Sequence, residues 1–596
     1  MQKSFPLAVV TVLASWCPAG GQQIEAYPIH TSAEIAVGKD ARRRAGRAPK
    51  AEMKVLSVVA PRNGITAGQI LLKAKSAPAT TRVTVSALRG PGGAVLPATA
   101  VRVRYGQYID NEKSLSVYGW QKDIAVSADA AEPDAGKYDV TKGYWRVDAL
   151  LPTARCQVRP NMPRCAWLTF EIPPAAAPGV YKAKAAIAGA DADVPIELEV
   201  VDAVVPPLAT SAMSNDIRPM WEVLAVGNGI ALKDCWRSEA FWKMAEAYLA
   251  AMGRIRVNTC GIVVMAPSTT SSLGMVKWTR TGDKWSWDYT VMDRFIAAYR
   301  KAVGEPRVVE ATAFSHDDQR CGLVILYTDA ATGRQAVEVL RDGPAAAEVA
   351  SAFVKDLRAH LATMGLAKKL AVGVWHDKMR HTGGTIRRRL LKDFPDLKLS
   401  LWAHSDGWGA PVKGRVASYM AKCHAGGRGQ RGLEDARKFP YAIKTGMRSA
   451  HERSVAFGPF AWDAIARHFV GLGQVDLANW SEIRRAKEYT YYGAGMFTSY
   501  QKQLVYPMHK GQVVTGVLYE LIREYAQDYE LLSIMRARGV KTGFLADPAA
   551  AMATMTGIDS AGGRLDVRPA TPAKVDAMHH AILRQAGAAK ARPEAK

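Results

Sequence analysis

The feature that most constrains this chain is a change of rhythm near Ser211. Before it, from about Met53 to Val205, apolar and polar residues alternate with period two, as in Val83-Thr84-Val85, Trp167 to Phe170, and Ile196 to Val200. Successive side chains of a strand point to opposite faces, so this alternation predicts half-buried strands. Arg62-Asn63-Gly64, Gly90 to Gly93 and Pro178-Gly179 supply turns between the runs, and helical periodicity is nearly absent. Short strands in series predict an antiparallel β-sandwich over 51–207, closed by Pro206-Pro207.

Beyond Ser211 apolar runs alternate with amphipathic helices. Met292, Phe295, Ile296, Tyr299 and Val303 make one apolar helical face, with Asp288 as a cap ahead of it. Further helices are expected over 237–252, 345–364, 383–393, 458–470 and 515–537. Strands are expected over 257–265, 307–315, 370–377, 397–405, 441–448 and 474–480. A start near Asp216 and a run at 496–506 bring the total to about eight strand–helix units. That number predicts a (β/α)8 TIM-like barrel over 208–545 rather than an open doubly wound sheet. No glycine-rich phosphate loop follows any strand, which argues against a nucleotide site. The expected fold class is multidomain, a β-sandwich followed by an α/β barrel.

The ends carry separate signals. Met1 to Gly21 reads as an export signal, with Lys3, an apolar run from Phe5 to Ala14, and small residues at Ala19-Gly20-Gly21. A secreted or periplasmic protein is the expectation, and no later stretch reaches the ~20 apolar residues of a membrane helix. Residues 22–50, which include Arg42-Arg43-Arg44, read as a flexible basic leader, and 546–596 as an Ala/Pro-rich tail. Cys156 and Cys165 lie close together in a Pro-rich loop, where an exported protein can bridge them. Cys235, Cys260, Cys321 and Cys423 lack metal-ligand spacing and read as buried thiols.

Barrel chemistry gathers at the C-terminal ends of the strands. Period two assigns their faces: Val372 and Val374 turn toward the helices, while Ala371, Gly373, Trp375 and Asp377 share the lumen side. His376 points outward on this count. In the next run Leu397, Leu399 and Leu401 oppose Ser400, Trp402 and His404, with Asp406 just beyond. Lys444 and Arg448 oppose Ile443 and Met447, and Asp476 and Trp480 oppose Val475 and Leu477. The strands thus converge on Asp377, His404, Asp406, Arg448 and Trp480, flanked by Trp375, Trp402 and Trp408. Carboxylates among tryptophans suit a sugar site, where ring faces stack and acids move protons.

A family resemblance runs through the same chain. The strand Trp167 to Phe170, the turn Pro178-Gly179-Val180-Tyr181 and the strand Ile196 to Val200 are followed by Asp476 to Trp480, Leu504-Val505-Tyr506-Pro507, Arg523, and Asp528 to Leu532. Their order and spacing, over about 120–540, resemble the glycoside hydrolase family 123-like proteins, including the group with domain of unknown function 4091. The resemblance implies a sandwich before a (β/α)8 barrel and hydrolysis of N-acetylgalactosaminides. It also implies an Asp-Glu pair ending the fourth strand, the Glu as general acid and the Asp holding the acetamido group that attacks the anomeric carbon. Counting strands puts 370–377 fourth, so the pair maps onto His376 and Asp377, followed by Lys378 where the family often has Pro. Leu518 stands where an Arg usually precedes the last helix. The same signature adds Tyr506 to the substrate-binding candidates.

Three readings are open. The first is a glycoside hydrolase of altered specificity, with Asp377 as acid and Asp406 or a water as its counterpart. The second is a glycan-binding protein on a retired hydrolase barrel. The third, a metal hydrolase using His376, Asp377, His381, His404 and Asp406, is disfavoured because no HxH or HExxH occurs; no metal and no cofactor are expected. The net charge of +24 calls for an acidic partner. Residues 380–448 hold fifteen Lys and Arg against five Asp and Glu, beside the expected site. Export and the lack of a recognition motif exclude nucleic acid, so the expected partner is a poly- or oligosaccharide, with an anionic one favoured.

Overall fold

The computed structural model describes residues 23–38, 53–110, 144–213, 221–264, 274–314, 322–375, 384–403, 416–422, 442–445, 457–466, 471–472, 504–553, 557–559, 564–566 and 570–591, with residues 215, 217, 219 and 477. Its first part lays down β1 (Ile24–Ile29), β2 (Ala36–Gly38), β3 (Leu56–Arg62), β4 (Gly64–Ala74), β5 (Ala79–Thr81), β6 (Val83–Val85), β7 (Leu88–Arg89), β8 (Val95–Leu96), β9 (Val101–Asp110), β10 (Tyr144–Leu151), β11 (Cys156–Val158), β12 (Arg164–Ile172), β13 (Gly179–Ile187) and β14 (Val194–Val204). One sheet runs β1-β4-β12-β9-β10, and a second runs β3-β14-β13-β7-β8. Ile70, Leu72, Leu168 and Phe170 of the first meet Tyr181, Ile196, Leu198 and Val200 of the second in one apolar core. The alternation read from the sequence is the cause: Tyr181, Ala185 and Ile187 of β13 and Val194, Ile196, Leu198 and Val200 of β14 are buried between more exposed neighbours.

The second part alternates. Helix α1 (Trp221–Gly227) and α2 (Glu239–Arg254) precede β15 (Thr259–Val263). A hairpin of β16 (Lys277–Thr281) and β17 (Lys284–Asp288), α3 (Thr290–Ala302), β18 (Val308–Phe314) and a hairpin of β19 (Gly322–Asp329) and β20 (Gln335–Arg341) come next. Then come α4 (Pro344–Thr363), β21 (Leu370–Trp375), α5 (Gly384–Asp393), β22 (Lys398–Ala403), β23 (Val416–Lys422), β24 (Ala442–Thr445), α6 (Phe457–Ala466) and β25 (Gly471–Leu472). The chain ends with β26 (Val505–His509), β27 (Gln512–Gly516), α7 (Val517–Ala537), α8 (Pro548–Ala553), the pair β28 (Gly557–Asp559) and β29 (Arg564–Asp566), and α9 (Pro572–Ala588).

One parallel sheet runs β15-β18-β21-β22-β23-β24-β25, in strict chain order. Asn215 adds a parallel bridge to Val257 on its near side, so β21 takes the fourth place. Sequential order without a switch is the order of a barrel, whereas doubly wound sheets reverse. Among the described residues no hydrogen bond joins the last strand to the first. Nor is any helix among them long and apolar enough to cross a membrane.

Several expectations are corrected. Residues 22–50 are not wholly a loose leader, since β1 pairs with β4 and β2 with β10, burying Ile24, Ile29 and Ile35. Residues 546–596 are not merely a tail, since α9 buries Val575, His579, Ile582 and Leu583. Its start was legible, because Thr571 accepts a hydrogen bond from the Lys574 N–H and Pro572 holds the first helical position. The run at 496–506 does not supply a barrel strand. Its last residues begin β26, whose hairpin with β27 extends the first sandwich sheet beside β10. The strand that keeps the parallel series at eight positions is β23, which the sequence reading passed over. Cys156 and Cys165 are both buried and not disulfide-bonded, and they pack into different cores.

Candidate functional site

The strand faces settle first. Val372, Leu397 and Leu399 pack with Phe295, Phe353 and Leu357 of the helices. Ala371 lies on the other face, against Val308. Ser400, also on that face, is fully buried, and its hydroxyl donates to the carboxylate of Glu310, itself 0 % exposed. Cross-strand partners stack the rungs: Glu310 beside Ala371, Thr312 beside Gly373 and Ser400, then Trp375 beside Trp402. A bulge between Thr312 and Phe314 presses β18 onto Gly373, where a Cβ would lie 3.1 Å from the Ala311 carbonyl and 3.3 Å from the Thr312 Cα. Bulges of this kind end the regular ladder near sites and re-aim the side chains beyond them.

Of the sequence-derived candidates, Trp375 and Trp402 are brought together as register partners at the C-terminal ends of β21 and β22. His376, Asp377, His404, Asp406, Trp408, Arg448 and Trp480 lie outside the described residues. By backbone register Trp402 aligns with Met420, and Met420 with Ile443. Tyr506 sits elsewhere. It is buried in the hairpin on the sandwich, and its hydroxyl donates to Asp148 Oδ2 at 2.5 Å, which leaves it a structural contact. Glu310 was missed, although it is the one charged residue of Val308–Phe314. A lone carboxylate inside an apolar strand is the signal that could have found it.

A second set of titratable groups gathers on α7, which is buried along most of its length. Arg104 of β9 donates to Glu520 at 2.8 Å and to Thr515 and Thr169. Burial pushes the Glu520 carboxyl up, but the Arg104 and Arg523 charges outweigh it and hold the group near 2. Asp528 accepts from the Trp462 indole N–H at 2.8 Å and faces His579 Nδ1 at 2.8 Å. His579 Nε2 lies 3.3 Å from Glu524. Burial opposes a charged imidazole, yet the two carboxylates raise its pKa well above the ordinary value. Glu530 accepts from Ser211 and from the backbone N–H groups of Ala212 and Met213.

These bonds tie α7 to its neighbours. β1 reaches only Gln69 along β4, which exposes the backbone of Ile65 to Ala67. Gln527 both donates to and accepts from Ile65, at 2.8 and 2.7 Å, and Glu524 accepts from Ala67 N–H and Thr66. Helix side chains thus complete the edge of a sheet. Asp528 and Glu530, prominent in the C-terminal signature, are architecture.

The architecture is thus two-part, a β-sandwich joined by such a helix to a sequential parallel α/β domain. The family 123 catalytic-domain model matches residues 233–393, and the family 123 N-terminal-domain model matches residues 42–189. The chain belongs to glycoside hydrolase family 123. Its structure is similar to that of a family 123 glycoside hydrolase from Clostridium perfringens, with a TM-score of 0.71 and 11% identity over 96% of this chain and 98% of that one. The likeness to Bacteroides uniformis beta-glucuronidase, with a TM-score of 0.20 and 9% identity over 78% of this chain and 48% of that one, carries no argument. A search of curated proteins by sequence finds no match.

Proposed function

We propose that this chain is an exported glycoside hydrolase that cleaves glycans at the C-terminal mouth of its parallel strands, closed into a barrel. The strand order carries the reading. With β21 fourth in the series, the chain runs from Trp375 directly into His376-Asp377, where the family resemblance implies the catalytic pair. Asp377 protonates the leaving glycosidic oxygen, and Asp406 takes a proton from the water that attacks the anomeric carbon. Trp375, Trp402, Trp408 and Trp480 stack on sugar faces, and His404 and Arg448 bind hydroxyl or acidic groups.

His376 offers no anionic acceptor for an acetamido N–H, so the favoured substrate lacks that group at the cleaved sugar. The basic segment 380–448 favours an anionic glycan. Glycolipid glycans, which the Clostridium perfringens relative is described as hydrolysing, belong on the same panel. The test is turnover of aryl glycosides and glycolipid glycans, with and without N-acetyl groups, by wild type and Asp377→Asn. Loss of about 100-fold or more in kcat is expected in the variant. Unchanged turnover would remove Asp377 as the acid. Glycan binding without turnover, lost in Trp480→Ala, would instead establish the glycan-binding reading.

A further inference from the structure

The outer face of the second sandwich sheet holds a groove that the hydrolase reading does not use. Regular pairing along β13 is interrupted: β6 covers Ala185 to Ile187 and β7 covers Lys182, and between them Ser86 holds Lys184 by its backbone N–H and its hydroxyl. The break opens a groove of about 490 Å³ lined by Ser86, Arg89, Lys182, Lys184, Pro195 and Glu197 among others. That size lies within the ordinary range of small-ligand sites. One rung crosses four strands through it: Val95, Arg89, Lys182 and Glu197 are successive Cα partners. Period two adds Val180 and Lys184 to the same face.

Charge and apolar surface coincide there. Glu197 lies 3.4 Å from Lys182, in an exposed pair that water and salt screen. Arg89 and Lys184 have no ion-pair partner among the described residues. Val95 and Val180, 52% and 48% exposed, are two of the three exposed large hydrophobic side chains among the described residues. Isolated exposed valines need no explanation, but two flanking a cationic groove do. The floor carries no aromatic ring to hold a neutral sugar by stacking. Cations set among small apolar surfaces complement a ligand with carboxylate or sulfate groups on C–H-rich rings.

We propose that this face binds an acidic glycan, apart from the barrel mouth. The probe is a heparin-derived hexasaccharide titrated calorimetrically into the full chain, wild type against R89S/K184S. Because the chain carries +24 overall, a second double variant, K243S/K355S, removes equal charge from exposed positions on α2 and α4. The groove variant is expected to bind about tenfold more weakly and to lose most of its salt dependence, with the control within about twofold of wild type. Equal losses in both variants would reduce the effect to diffuse charge and overturn the proposal. Unchanged binding in R89S/K184S would do the same. So would displacement by an oligonucleotide of equal charge at equal affinity, which would mark a general polyanion patch. These outcomes do not depend on turnover at Asp377.

Discussion

The two faces of the first sandwich sheet are held in opposite ways. Toward the second sheet, Ile70, Leu72, Leu168 and Phe170 pack in an apolar cluster. Toward α7 the sheet buries Gln69, Arg104, Asp148 and Thr169, each hydrogen-bonded to named partners. The first face supplies area: hydrophobic burial contributes about 25 cal/mol per Å² and tolerates small shifts. The second supplies direction, because a buried carboxylate is stable only against its own partner. The sandwich therefore sits in a fixed orientation on α7.

Removing one partner separates the two modes most sharply. Asp528→Ala leaves the Trp462 N–H without its acceptor and the His579 imidazole with Glu524 alone, at 3.3 Å, in a dry interior. A loss of about 3–5 kcal/mol in denaturant unfolding is expected. Pairing it with His579→Leu is expected to be strongly non-additive, since the second change removes the charge the first had stranded. Additivity would mean that the pair is not a unit. In the apolar core, Leu198→Ala is expected to cost about 3 kcal/mol, and to add to Asp528→Ala within ~0.5 kcal/mol.

Acid attacks only the polar face. Glu520 is held near 2 against an ordinary 4.5, so its contribution is complete above 4.5 and drains as pH falls toward 2. Full loss corresponds to about 3 kcal/mol. Burial and the neighbouring His579 charge depress His580 from 6.5 to about 4, so the folded state sheds a proton that the unfolded chain keeps. Stability therefore also falls as pH drops from 6.5 to about 4. His579 acts with the opposite sign: its raised pKa gives stability below 6.5 that is lost as pH rises through the folded value. Thermal unfolding across pH reads these windows. His580→Leu is expected to flatten the upper acid one, and Arg104→Met the lower.

How much of this was legible depended on the range of each interaction. Alternation is local, so β13 and β14 could be read from their own residues, as could the apolar faces of α2, α3 and α4. The fourth place of β21 also came from counting periods. β23 escaped because Val-Ala-Ser-Tyr-Met-Ala-Lys lacks a continuous apolar run. β26 was assigned to the wrong sheet because pairing with β27 and β10 is a long-range fact that periodicity does not contain. Asp528 and Glu530 stood in the sequence only as part of a family signature, because the partners that explain them, His579 and Ser211, lie far along the chain. Glu310 was hidden for the same reason, as its partner Ser400 lies ninety positions away.

The smallest expected effect joins both ends of the chain. Thr571 caps α9 by accepting from Lys574 N–H at 3.3 Å, and Thr571→Ala removes that acceptor at a cost of about 1 kcal/mol. A cap on an isolated helix would affect only its own first turn. Here Asp576, in the second turn, accepts from the Thr31 N–H at 2.9 Å and from the Ser32 hydroxyl at 2.9 Å, and faces His30 at 3.1 Å. Fraying at Pro572 therefore loosens the turn between β1 and β2. Hydrogen exchange in Thr571→Ala is expected to rise at 30–35 as well as at 572–578, while the Leu198 core stays protected. Faster exchange confined to α9 would show that the polar face is a set of separate bonds, rather than one joint between the two parts of the molecule.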